Sequence, residues 1–237
     1  AAIIFEGVPE VVDLEREALA RASQLAGPGP ILASTTSTIL VDDLASAVAQ
    51  PQRFLNAHWL NPASLVPLVE VSPGRQTDPA ITARLKAVLE SIGKVPVVCA
   101  ASPGYIVPRI QALAMNEAAR MVEEGVASAS EIDKAIKYGF GFRFAVLGML
   151  EFIDGGGGDI LHYASRYLTK ALDSERYAAP EIITRNMEQG RIGLSTRQGF
   201  LDYDGMDVDA YREARLKAFV ELLKHFELAR KPVVDSD

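Results

Sequence analysis

His58 and Glu70 are the most chemically suggestive pair of side chains in this sequence. His58 ends an apolar run, in Ala57-His58-Trp59-Leu60-Asn61-Pro62. The turn after a strand of an α/β sheet is where such proteins place ligands, and a histidine there can act as a general base near neutral pH. Glu70 closes the apolar run Leu65–Val69. A carboxylate among apolar strand neighbours is costly unless it is paired. An imidazolium partner would offset that cost, and the carboxylate would in turn fix the imidazole tautomer. Two adjacent strands joined by the Asn61-Pro62 turn would bring the pair together. The competing readings are a structural histidine and a solvated glutamate on an edge strand.

Other candidates are weaker. Ser37 lies in the hydroxyl-rich run Thr35-Thr36-Ser37-Thr38, after a strand and before a helix. Such residues commonly cap helices or make turns, or Ser37 could aim its hydroxyl at the cleft of His58. A Ser37–His58 hydrolase lacks the Gly-x-Ser-x-Gly elbow. The remaining histidines, His162 and His225, sit in helical patterns beside Tyr163 and Phe226 and read as packing or surface residues. Gly155-Gly156-Gly157-Gly158 reads as a loop between helices. Gly139-Phe140-Gly141 has no preceding strand. Neither has the setting of a phosphate-cradling loop. The single cysteine, Cys99, excludes an internal disulfide and a Cys-rich zinc site, and no metal centre is expected.

These residues need a scaffold. The 237 residues carry 49% hydrophobic and 23% charged side chains, enough for one large domain or two small ones. The net charge of −7, with both signs interspersed, gives no reason to expect nucleic acid as a partner. No run approaches the roughly 20 apolar residues of a membrane-spanning helix, so no membrane partner is expected. Short apolar strands are expected at Ala2–Phe5, Ile31–Ser34, Phe54–Trp59, Val66–Val71 and Val95–Ala100. Helices are expected between them at Val11–Leu25, Val41–Ala49 and Asp78–Ile92. That alternation predicts a parallel sheet covered on both faces. After Ser102-Pro103-Gly104 only helical patterns follow: Ile106–Glu124, Ser130–Tyr138 (capped by Gly139), Ala145–Ile153, Ile160–Ala171, Pro180–Glu188 and Ala210–Phe226. The chain thus divides into an α/β part, residues 1–101, and an all-α part, residues 102–237.

Together the motifs resemble the 3-hydroxyacyl-CoA dehydrogenase family. Ile31 to Thr38 resembles its ILASNTSS segment, and His58-Trp59-Leu60-Asn61-Pro62 with Leu68-Val69-Glu70-Val71 resembles its HFFNP…KLVEV. Ile92-Gly93-Lys94-Val95-Pro96-Val97 is similar to its IGK-P-V strand, and Ser102 to Arg109 to its PGFVVNR. Gly190 to Tyr203 is similar to its glycine-rich C-terminal end. The resemblance covers essentially the whole chain. It implies an incomplete Rossmann-type sheet followed by a helical substrate and dimerisation domain. It also implies NAD as cofactor, and oxidation of the 3-hydroxyl of a short L-3-hydroxyacyl-CoA or free 3-hydroxy acid. By position, His58 would take the hydroxyl proton, Glu70 would hold the imidazole, and Ser37 would hydrogen-bond the substrate oxygen. Asn61 would line the site near the nicotinamide. Gly7 and Glu10, in a turn resembling the family's EAVVE, would lie against the cofactor. The resemblance further implies a cytoplasmic homodimer, with the long helix Ile106–Glu124 in its interface.

The departures carry information too. Pro108 stands where PGFVVNR has its asparagine, and offers no side-chain hydrogen bond. Thr35 replaces the first asparagine of NTSS. Gly139 to Ala145 is closer to the branch containing carnitine dehydrogenase and lambda-crystallin (L-gulonate dehydrogenase), whose substrates are free hydroxy acids. Arg143 could there pair with a small carboxylate, or be a surface residue at a helix start. The sequence opens directly on an apolar strand with no Gly-rich loop before it, so a longer parent protein is expected. The alternative is a crystallin-like, non-catalytic helical dimer without cofactor.

Overall fold

The computed structural model describes residues 2–229. The chain forms two compact units, Ala1–Glu124 and Gly125–Asp237. The first is built on a five-stranded sheet in the order β1-β2-β3-β4-β5, with β1 Ile3–Glu6, β2 Ile31–Ser34, β3 Phe54–Trp59, β4 Leu68–Pro73 and β5 Val95–Val98. The strands β1, β2 and β3 run parallel, as expected, and β4 runs antiparallel to β3. The sheet is therefore mixed rather than parallel. A parallel crossover needs about a dozen residues or more, and residues 60–67 are too few, so the chain turns straight back.

Helices cover both faces. On one face, Ile31, Ala33, Leu55, Ala57, Val69 and Val71 pack against Ile81, Leu85 and Leu89 of α3 (Pro79–Ser91). Asp78 caps this helix through the Ala80 amide and Pro79 starts it, the arrangement helix N-termini favour. On the other face, Leu32 and Phe54 pack against Leu19 of α1 (Val12–Ala26) and Val41, Leu44 and Ala45 of α2 (Val41–Ala45). Two residues further along the same strands that face turns polar: Glu6, Ser34 and Asn56 pair in register, and Asn56 pairs with Ser72 of β4. All four are buried. The strand period of two keeps each row on one face, so an apolar core gives way to a polar floor at the C-terminal ends of the parallel strands.

The long helix α4, Val107–Glu123, follows the turn Ser102–Tyr105 and belongs to the first unit. The second unit is helical among the described residues, with α5 Ala129–Ala135, α6 Gly141–Phe144, α7 Met149–Gly156, α8 Gly158–Ala171, α9 Glu181–Glu188 and α10 Val208–His225. Three expectations need correction here. Gly139 does not end a helix: a π-helical turn, Ile136–Phe140, carries the chain on into α6. A Cβ at Gly141 would approach the Ile136 carbonyl oxygen to 3.0 Å, so the widened turn suits glycine there. The helix expected from Ala145 starts instead at Met149, because Gly148 is extended and its amide is taken by the Glu151 carboxylate. The four-glycine run is not a loop, since Gly155 and Gly156 end α7 and Gly158 begins α8. Only Gly157, at φ 103°, breaks the helical path.

The C-terminal motif wraps a buried carboxylate. Asp154 of α7 accepts from the amides of Phe200 and Leu201 and from the Tyr203 hydroxyl. A Cβ at Gly199 would overlap the Asp154 side chain, and one at Gly193 would overlap its backbone. Gly193 and Gly199 are thus steric requirements.

Candidate active site

The turn after β3 returns the chain so that His58 and Glu70 face each other directly in the antiparallel register. Glu70 Oε2 lies 2.8 Å from His58 Nδ1. The glutamate side chain is 1% exposed and the imidazole 10%. With Nδ1–H donated to the carboxylate, Nε2 carries the lone pair. The other carboxylate oxygen, Oε1, accepts from the amides of Ile106 (3.0 Å) and Val107 (2.8 Å). These are the first donors of α4, which a helix leaves without partners of its own. The helix end and the imidazole are therefore satisfied by one anion. Tyr105 completes this wall: its ring stacks near His58 at 6.5 Å between centroids, and its hydroxyl donates to the Ile39 carbonyl. Burial pushes the Tyr105 phenol well above its ordinary value, with the nearby Cys99, Glu15, Glu10 and Glu70 adding to the shift, so it stays a neutral donor.

Ser37 sits in the turn after β2, and that turn is organised by Glu10. The Glu10 carboxylate accepts from the hydroxyls of Thr36, Ser37 and Thr38 and from the amides of Ser37 and Thr38. Partial burial works to raise its pKa, but the Ser37, Thr38 and Thr36 hydroxyls and the Thr38 amide outweigh it and hold the carboxyl down at about 2. The Ser37 proton points to Glu10 Oε2 at 2.7 Å. Both Glu10 oxygens are engaged by this turn.

Beneath it lies a pair of carboxyls that the sequence reading missed. Ser34 Oγ is 3.0 Å from Glu6 Oε2 and 3.3 Å from Glu15 Oε2. One hydroxyl proton cannot serve two carboxylates. Burial, then the neighbouring Glu6, push Glu15 up to about 7. Asn56 was missed as well: its Nδ2 donates to the Thr36 carbonyl. The signal was present in Phe54-Leu55-Asn56-Ala57-His58, where a polar residue interrupts an apolar strand two positions before the histidine.

Asn61 is exposed, at a cis peptide bond to Pro62. Lys94 steadies this turn by donating to the carbonyls of Ala63 (2.6 Å) and Val66 (2.8 Å), with its ammonium 5.5 Å from the centroid of the Trp59 ring. Pro108 lies in the first turn of α4, where its missing N–H costs nothing. His162 packs edge-on against Tyr163, and His225 against Phe226. Arg143 belongs to the second unit; its guanidinium stacks on the Phe152 ring, 4.5 Å from the centroid. No cluster of potential metal ligands occurs among the described residues, and no described helix is long and apolar enough to cross a membrane.

Comparison with known proteins fixes the family. The NAD-binding domain of 3-hydroxyacyl-CoA dehydrogenase matches residues 1–102, and the C-terminal domain of the same family matches residues 104–203. This chain belongs to the 3-hydroxyacyl-CoA dehydrogenase family. A crystal structure of 3-hydroxyacyl-CoA dehydrogenase from Archaeoglobus fulgidus is similar at a TM-score of 0.82 and 34% identity, over 96% of this chain and 78% of that one. L-carnitine dehydrogenase of Pseudomonas putida is 31% identical, over 94% of this chain and 70% of its own length. A probable 3-hydroxybutyryl-CoA dehydrogenase of Deinococcus radiodurans is 30% identical, over 85% and 71%. The enzymes of this family are NAD-dependent, and NAD is the cofactor. The residues present are compatible with such a group. Gly7 is exposed at the C-terminal end of β1, and a Cβ there would meet only Thr35 Oγ1, at 3.6 Å, so packing within the chain does not demand a glycine. A backbone bare of side chain beside the Thr35 hydroxyl leaves room for close approach of a bound group.

Proposed function

We propose that this protein oxidises the 3-hydroxyl of a short-chain L-3-hydroxyacyl-CoA, or of a free 3-hydroxy acid, to the 3-oxo compound, with His58 as the general base. The observation that carries this reading is the His58 Nδ1–Glu70 Oε2 contact at 2.8 Å, which aims the basic Nε2 away from the carboxylate. Bound NAD supplies the acceptor for the hydride that leaves C3 of the substrate. His58 Nε2 takes the hydroxyl proton, and the buried Glu70 stabilises the imidazolium that forms. Ser37 turns its single proton from Glu10 to the substrate oxygen. Gly7 and Glu10 border the cofactor, and Asn61 lines the nicotinamide side.

Arg143 is our candidate for recognising a substrate carboxylate. Stacked on Phe152, its guanidinium leaves the N–H edge free for a bidentate contact, which favours a free hydroxy acid. We further propose a homodimer located in the cytoplasm; the dimer is supported by α4, none of whose residues is buried and on which Ile110, Leu113, Met115 and Val122 are all exposed. The test is NADH formation with 3-hydroxybutyryl-CoA and with free 3-hydroxybutyrate, in wild type and His58→Ala. Equal rates in the two proteins overturn the role of His58, and the higher kcat/KM tells thioester from acid.

A further inference from the structure

We propose that Asn56 is a positioning residue that fixes the place of Ser37 relative to His58, an inference that rests on the dehydrogenase reading above. Asn56 is fully buried on β3, on the same strand face as His58 and two residues before it. Its Nδ2 donates to the Thr36 carbonyl at 3.2 Å, and its Oδ1 is buried with no hydrogen-bond partner. A buried carbonyl oxygen without a donor bears its whole desolvation cost. A leucine has the same branched shape and none of that cost. Phe54, one step back on this face, shows that the surroundings accept an apolar side chain. The amide thus satisfies one buried carbonyl and leaves its own oxygen unmet, so fold stability alone gives little net reason for it here.

What the amide does supply is a link between two strands' functional groups. The Thr36 amide is held by Ser34 Oγ, its hydroxyl by Glu10, and its carbonyl by Asn56. Ser34 and Asn56 are neighbours in register, so β2 and β3 grip the two peptide groups of Thr36 from below. The next residue is Ser37. The strand that carries the base thus also sets the height of the turn that carries the hydroxyl. Asn56 acts through Thr36 and touches no reacting atom.

The decisive variant is Asn56→Leu, with Asn56→Asp placing an acceptor where the donor was. Both are expected to lower kcat for NADH formation about tenfold or more, the scale of a small misplacement of reacting groups, with the KM for NAD unchanged. In the Ser37→Ala background Asn56→Leu is expected to lower kcat no further, because the group it positions is gone. Amide exchange of Thr36 to Thr38 is expected to quicken in Asn56→Leu while that of Glu70 to Ser72 holds, and the melting temperature is expected to change little, since the Thr36 carbonyl loses its donor as the unmet Asn56 oxygen is removed. Wild-type kcat in Asn56→Leu overturns the proposal, and so does a loss that multiplies fully with that of Ser37→Ala. If the wild-type protein oxidises no hydroxy acid or thioester, the dehydrogenase reading fails. The exchange measurement then decides alone, and unchanged protection at Thr36 to Thr38 overturns the role of Asn56.

Discussion

Glu70 holds His58 with one oxygen and the first amides of α4 with the other, so base orientation and helix attachment depend on a single carboxylate. The substitution that separates shape from charge is Glu70→Gln. With its oxygen kept on the two amides, the glutamine NH2 would face Nδ1 and force the proton onto Nε2, the tautomer that cannot accept one. The expected loss in kcat is about 10²–10⁴-fold, the range seen when an orienting carboxylate is neutralised. Steady-state kinetics beside a thermal melt check this. The melt is expected to fall by less than the loss of a buried hydrogen-bonded charge implies, because the amide contacts survive.

The one-proton, two-carboxylate contact at Ser34 predicts a pH dependence of stability. Glu15 is raised to about 7 in the folded protein from 4.5. Its contribution is fully present below 4.5 and is lost as pH rises towards 7, because the unfolded chain gives up that proton first. Glu10, lowered to about 2, acts in the opposite sense: its contribution is present above 4.5 and lost as pH falls towards 2. Melting temperature against pH is expected to decline from about 5 to about 7.5 in wild type, and Glu15→Gln to flatten that limb. An unchanged slope in the variant removes Glu15 as its source.

Asp154 predicts a defect confined to the second unit. Asp154→Ala leaves the amides of Phe200 and Leu201 and the Tyr203 hydroxyl without their acceptor. It should cost about 2–4 kcal/mol. Gly199→Ala is expected to be at least as damaging, since the added methyl has no room. Amide exchange is the suitable measurement: protection should be lost at Phe200 and Leu201 and kept at Val69 to Val71.

The exposed apolar residues of α4 predict self-association. Light scattering is expected to give twice the 25.6 kDa of the chain, and Leu113→Asp to shift it towards monomer. A wild-type monomer at micromolar concentration removes the dimer from the reading of this helix.

How far the sequence reached depends on the range of each interaction. His58 and Glu70 were legible because a polar residue ending each of two short apolar runs, with a proline turn between, leaves few ways to pair. The helices α1, α3, α9 and α10 were legible within a residue or two from their periodicity. The second contact of Glu70 was not, since Ile106 and Val107 offer backbone amides, which carry no mark in a sequence. The Glu6–Ser34–Glu15 cluster joins a strand end, a second strand and the first turn of a helix, and only the register assembles it. The start of α7 was misplaced because apolar spacing ran on through Gly148, where a glutamate three residues ahead takes the amide instead. The π turn at Gly139 was missed because glycine signals a stop and a widened helix alike.

The joint at Glu70 also makes the protein self-reporting. The amides of Ile106 and Val107 are protected from solvent only while Glu70 stays in place, and Glu70 in place is the condition for an oriented imidazole. Fraying of the first turn of α4 and loss of a competent base are then one event rather than two. The exchange rates of those two amides, read without any substrate, become a gauge of the fraction of molecules ready to react at a given temperature or pH.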